Sequence, residues 1–180
     1  MNYQIDQSGK VEDTSKDTVV AYANDSIGAV ILSAKEKRRL QELFRQAGTP
    51  RLFIDYVFSA LLITLLRSVN AQHVTVDIEY PGHTKVIDAL VARSTLTTIR
   101  WQSIGKHSSA HDIAYKVYKK KLAIGGQIDA QDVWRVTKKI TGGRLKTGLS
   151  PANRRSAPVT DKSVSGTHKK VKGSKSRRSL

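Results

Sequence analysis

The chain has 180 residues, no cysteine and a formal net charge of +16, from 31 Lys and Arg against 15 Asp and Glu. Without cysteine there is no disulfide, thiolate metal site or cysteine nucleophile, and a cytoplasmic setting is expected. A charge excess of this size draws polyanions through water and speeds their encounter, which points to nucleic acid ahead of anionic membrane or acidic protein.

The charge is uneven. Residues 1–140 hold 20 basic and 14 acidic side chains, and residues 141–180 hold 11 and 1. The second segment has almost no large apolar residue, so it cannot bury enough surface to offset ordering entropy and reads as a disordered basic tail. The N-terminal run MNYQIDQSGK lacks the basic-then-apolar pattern of a signal peptide. The longest apolar stretch, 52–66, carries Asp55 and falls short of the ~20 residues a bilayer span needs. It predicts a buried core helix and no membrane partner.

In chain order, residues 2–6 (NYQID) alternate and predict a strand with Tyr3 and Ile5 on one face. Gln7-Ser8-Gly9-Lys10 is turn chemistry. Residues 18–23 (TVVAYA) and 27–32 (IGAVIL) predict two more strands, joined by the Asn24-Asp25-Ser26 turn, giving an antiparallel three-strand meander. Ser33 with Glu36 has capping-box spacing, and Leu40, Leu43, Phe44 and Ala47 share one face of the helix that follows. Gly48 closes that helix, and Pro50 suits the first turn of a second, more apolar one reaching about Val69.

Residues 73–80 (HVTVDIEY) alternate strictly, with Val74, Val76 and Ile78 on one face and Thr75, Asp77 and Glu79 on the other. A helix to about Arg93, a strand over 96–101 (LTTIRW) and a helix over 109–121 come next. Gly125-Gly126 interrupts the chain, and Asp129 caps a last short helix to about Ile140. Strands alternating with helices in this half predict parallel pairing. The fold class expected is α/β, a mixed five-stranded sheet flanked by helices. The domain spans 1–124, with 50–70 readable as a helical insertion, followed by a short helix in 125–140 and the tail, 141–180.

This element order, with an IDQSG run on the first strand, VDIEY on the fourth and SSAHDIAY opening a late helix, resembles the ribonuclease H-like superfamily of nucleases, integrases and resolvases. The resemblance implies three acids, on the first strand, the fourth strand and the last helix. They fall on Asp6, on Asp77 or Glu79, and on Asp112. It also implies Mg²⁺ or Mn²⁺ held by them, a further Glu in the first helix, for which Glu42 is the match, and a loop histidine, here His107.

The chemistry gives such acids a reason. Phosphodiester hydrolysis needs an activated water, a stabilised leaving oxygen and neutralised phosphate charge, which divalent ions on hard carboxylate oxygens supply. Each acid also has a plainer reading. Asp6 could close an Asx-turn, Asp77 and Glu79 could be a solvated face, and Asp112 could form a capping box with Ser109. Asp25 competes with Asp6, although hairpin-turn aspartates are common.

Lys106, His111, Lys116, Lys119, Lys120 and Lys121 surround the late helix and are candidates for holding phosphates. In the tail, Arg154, Arg155, Lys169, Lys170, Lys172, Lys175, Arg177 and Arg178 predict salt-sensitive, sequence-independent contacts. Trp101 and Trp134 read as packing residues. The function expected is a divalent-metal-dependent nuclease acting on RNA or DNA. The alternatives are a non-catalytic nucleic-acid-binding protein and a ribosome-associated adaptor with a basic tail.

Overall fold

A computed structural model describes residues 2–69 and 71–145. The tail residues Arg154, Arg155, Lys169, Lys170 and Lys172 lie outside the described residues, as do Lys175, Arg177 and Arg178.

The chain opens with strands β1 (Asn2–Ser8), β2 (Thr18–Ala23) and β3 (Gly28–Leu32), paired antiparallel in sequence. Helix α1 (Ala34–Gln46) and a 3₁₀ turn (Pro50–Leu52) lead into α2 (Phe53–Val69). Then come β4 (His73–Val76), α3 (Thr84–Val91), β5 (Thr98–Trp101), α4 (Ser109–Tyr118), β6 (Gly126–Ile128) and α5 (Ala130–Ile140). The six strands form one mixed sheet, β5-β4-β1-β2-β3-β6, in which β4 runs parallel to β1 and β5, and β6 runs parallel to β3.

The sheet separates two cores. One face packs Tyr3, Ile5, Val20, Leu32, Val74 and Val76 against α1, α2, α3 and α5. The other face presents Val19, Ala21 and Ala29 to Ala114 and Val117 of α4. Small side chains at Ala21 and Ala29 leave room for that single helix to lie close to the strands.

Two sequence expectations change, and α2 takes a central place. From Val57 to Leu66 every α2 side chain except Thr64 is buried, and the helix is the hub of the larger core. With its 3₁₀ turn, α2 is long and apolar enough to cross a membrane, but its apolar surface is packed against the sheet and three other helices. Residues 125–140 hold the expected Asp129-capped helix, α5, which places Val133, Trp134 and Ile140 in the core, and also β6, a sixth strand beyond the five expected. Trp134 meets Phe44 edge-on at 5.1 Å. The fourth strand stops at Val76, its last partner on β5 being Trp101, so Asp77 and Glu79 lie past the strand and Ile78 is exposed.

Local chemistry explains the joints. Ser33 caps α1 by accepting from the Glu36 N–H, while the Glu36 carboxylate accepts from the Ala130 N–H and so caps α5. Gly9 ends β1 at φ +77°, where a Cβ would stand 2.2 Å from the Asp17 carbonyl oxygen and 2.9 Å from the Tyr118 ring. Only glycine fits that closure of the β1–β2 loop. Lys37 of α1 is wholly buried under the same loop, donating to the Lys10 carbonyl at 2.8 Å, the Asp13 carbonyl at 2.7 Å and the Thr18 hydroxyl at 2.8 Å. All three of its donors are satisfied, and burial pushes its pKa down to about 8.

Candidate metal centre

Strand β4 ends at Val76, opposite Ile5, while the adjacent parallel β1 runs on to Ser8, and three acids meet where β4 stops. Alternation along β1 sends Ile5 into the larger core and Asp6 to the α4 face, where Asp6 is only 3% exposed. The Asp77 N–H donates to the Ile5 carbonyl at 3.0 Å, one bond beyond the last β1–β4 residue pair, and so lies beside Asp6. The Glu79 N–H then donates to the Asp77 carbonyl at 3.0 Å, a tight turn that folds the chain back. One carboxylate oxygen from each of Asp6, Asp77 and Glu79 lies within 4.8 Å of the others.

Each acid is held. Asp6 Oδ1 accepts from the Gln7 N–H at 2.6 Å, and Oδ2 is 2.8 Å from His111 Nδ1. Asp77 Oδ1 accepts from the Ile104 N–H at 2.8 Å, which ties it to the loop after β5. The turn carrying Glu79 is anchored by the next residue. The buried Tyr80 hydroxyl accepts from Gln7 Nε2 at 2.9 Å and from the Val11 N–H at 3.0 Å, and its ring packs on Phe58.

The electrostatics favour a cation. Burial raises the pKa of Asp6, aided by the charge of Asp77 and opposed by the Gln7 and His111 hydrogen bonds. Glu79 is pushed up to about 7, first by burial, then by the charges of Asp6 and Asp77 and by its hydrogen bond to Asp6. Among the described residues, His111 is the one side chain within ion-pairing distance of any of the three. Lys10 offsets part of the repulsion at Glu79, and mutually repelling, partly buried carboxylates of this kind could hold a hard divalent cation such as Mg²⁺ or Mn²⁺, which takes oxygen ligands.

The remaining sequence candidates fall as follows. Asp112 lies outside the cluster, its side chain half exposed and 2.6 Å from the Lys116 ammonium. Its neighbour His111 faces Asp6 instead. The reason is the helix start: Ser108, not Ser109, is the cap, accepting from the His111 N–H at 3.1 Å. One residue on a helix is a rotation of about 100°. His107 and Lys106 are exposed in the preceding loop. Lys119 and Lys120 are exposed where α4 ends, with Lys119 Nζ 5.6 Å from the ring centres of both Tyr115 and Tyr118. Glu42 is exposed on α1 and engages Gln46 and Arg45. Asp25 is exposed in the β2–β3 turn, beyond the opposite end of β1 from Asp6. Sequence reading overlooked the supporting role of Gln7 and Tyr80, and no local signal marks that pair.

No family model, curated protein or solved structure matches the chain.

Proposed function

We propose that the protein is a divalent-metal-dependent nuclease of ribonuclease H-like fold. The observation that carries the reading is the meeting of Asp6, on β1, with Asp77 and Glu79, just past the end of β4. The antiparallel β1–β3 meander, followed by parallel β4 and β5 in the order β5-β4-β1-β2-β3, supports the fold assignment.

Asp6, Asp77 and Glu79 would hold Mg²⁺ or Mn²⁺, which would supply water activation and charge neutralisation at a phosphodiester. The chain's residues do the rest. Asp6 is the rigid ligand, clamped by Gln7 and His111. Asp77 is fixed by Ile104, and Glu79, on its turn, is the acid able to adjust. His111, next to the Asp112 that the resemblance indicates, is the α4 side chain that reaches Asp6. Its Nδ1 engages Asp6, which sets the imidazole tautomer and leaves the other nitrogen to hold or move a proton. Lysines around α4 and in the tail hold phosphates and raise the local concentration of nucleic acid.

The test is cleavage of labelled RNA, DNA and RNA–DNA hybrid with Mg²⁺ or Mn²⁺, by the wild type, Asp6→Asn and Asp112→Asn. Metal-dependent cleavage lost in Asp6→Asn and largely retained in Asp112→Asn is the expected result. Salt-sensitive binding without cleavage of any substrate would overturn the nuclease and favour a binding module.

A further inference from the structure

Helix α4 carries His111, Tyr115 and Lys119 at successive i, i+4 positions, so they form one stripe with steps of about 6 Å along the axis. The stripe starts at the acid cluster, because His111 bonds Asp6. The Tyr115 ring lies nearly parallel to His111, at 10° with centres 6.4 Å apart, and Tyr115 is 44% exposed. Few large apolar or aromatic side chains on the described surface are so open, and this one lies a single helical turn from the cluster. Lys116, Lys119, Lys120 and Lys121 surround it, and Asp112, already paired with Lys116, is the one acid on the helix.

The end of the helix adds a separate observation. The Lys120 N–H donates to the Val117 carbonyl and the Lys121 N–H to the Lys116 carbonyl, which is the pairing of a Schellman motif. The residue in its left-handed position is ordinarily glycine, but here it is Lys120 at φ 57°. A lysine held there against a conformational cost points to use of its charge.

We propose that Tyr115, with Lys119 and Lys120, is a seat for one unpaired nucleotide beside the metal centre, so that the substrate is single-stranded or locally unpaired nucleic acid. The inference rests on the nucleic-acid reading above and narrows its substrate. An exposed aromatic ring stacks on a base whose face is free, and in a duplex that face is covered by the neighbouring pairs. Lys119 now lies against the ring. Its flexible chain can yield that face to a base while its ammonium stays near the adjoining phosphate. The stacking step reads no base identity, so the seat tolerates any sequence.

The experiment is anisotropy titration of full-length wild type, Tyr115→Ala and Tyr115→Phe with a labelled single strand and a blunt duplex of equal length. EDTA prevents cleavage, and raised salt screens the tail's phosphate contacts. Tyr115→Ala is expected to weaken single-strand binding by about 5- to 100-fold, while Tyr115→Phe and all duplex affinities stay within about twofold. Because Tyr115 lies on the helix surface, circular dichroism of both variants should match wild type. An alanine variant that keeps wild-type single-strand affinity, or loses single strand and duplex equally, overturns the seat. The two readings fail separately: no metal-dependent cleavage with the Tyr115 effect intact removes the nuclease alone, and Asp6-dependent cleavage with Tyr115 inert removes the seat alone.

Discussion

Replacing Glu79 with Gln should make the metal-free protein more stable above neutral pH. Glu79 has a folded pKa of about 7 against an ordinary 4.5. Between those values the folded state keeps a proton that the unfolded chain has released, so stability falls as pH rises through that window. At about 1.4 kcal/mol per unit the full penalty is about 3 kcal/mol, and solvent screening of this partly open side chain leaves roughly 1–2 kcal/mol. The amide introduced by Glu79→Gln lacks the charge but can still donate to Asp6, as protonated Glu79 does. In EDTA at about pH 8, thermal unfolding of Glu79→Gln should therefore occur roughly 2–8 °C above wild type. At pH 4.5 the two should coincide. Saturating Mg²⁺ should then favour wild type, since a ligand at about 100 times its Kd adds about 2.7 kcal/mol to the state that binds it. A variant less stable than wild type in EDTA at pH 8, or a difference that does not change with pH, would refute the picture of a repulsive cluster.

Three further substitutions probe the frame. Lys37→Met strips the Lys10 and Asp13 carbonyls and the Thr18 hydroxyl of their buried donor, so denaturant unfolding should show a loss of roughly 2–4 kcal/mol. Gly9→Ala drives a methyl into the Asp17 carbonyl at a positive φ and should cost more than about 3 kcal/mol, or prevent folding, by the same measurement. Lys120→Gly should raise stability by about 1 kcal/mol in thermal unfolding, because glycine accepts the left-handed conformation freely. The same variant should flatten the salt dependence of single-strand binding by about 0.7 in the log–log slope.

Much of the frame was legible because short-range chemistry and periodicity agree there. Residues 18–23 are β-branched and apolar between turn residues, and they form β2 with those bounds. The Ser33 cap and the Leu40–Phe44 stripe define α1 in the same way. Strand β6 escaped notice because it is three residues opening on Gly126, and its existence depends on the free edge of β3 rather than on its own propensity. The role of α2 was hidden for a related reason. Burial all round a helix does not say what covers it, and here the sheet and helices α1, α3 and α5 do.

At the site, Asp6 could be placed from alternation, since Tyr3 and Ile5 fix the face it leaves. Asp77 and Glu79 were indicated as alternatives on one strand, and both enter the cluster because the strand ends first. Alternation to Tyr80 suggested a longer strand, but pairing with β5 stops at Trp101. Asp112 against His111 turned on which of two adjacent serines caps α4. Ser108 and Ser109 have the same side chain, so local propensity cannot rank them.

The way β4 ends also gives the three acids different backbone support. Asp6 lies inside β1, paired with Ala21 of β2 and one residue past the last β4 pair, and both of its oxygens are engaged. The Asp77 N–H uses the Ile5 carbonyl just past the paired residues, and after it the backbone has no sheet partner. Glu79 therefore rides on a turn, held through Tyr80 rather than through a ladder. Glu79, the acid farthest from the ladder, is also the one pushed up to about 7, so in the proposed metal site its deprotonation would limit cation binding near neutral pH. Affinity for Mg²⁺ should rise as pH passes 7, and Glu79→Gln should remove that rise while leaving a weaker, pH-independent site on Asp6 and Asp77. Calorimetric titration with Mg²⁺ at about pH 6 and pH 8 separates the cases: an unchanged pH dependence in Glu79→Gln would assign the control to Asp6 instead.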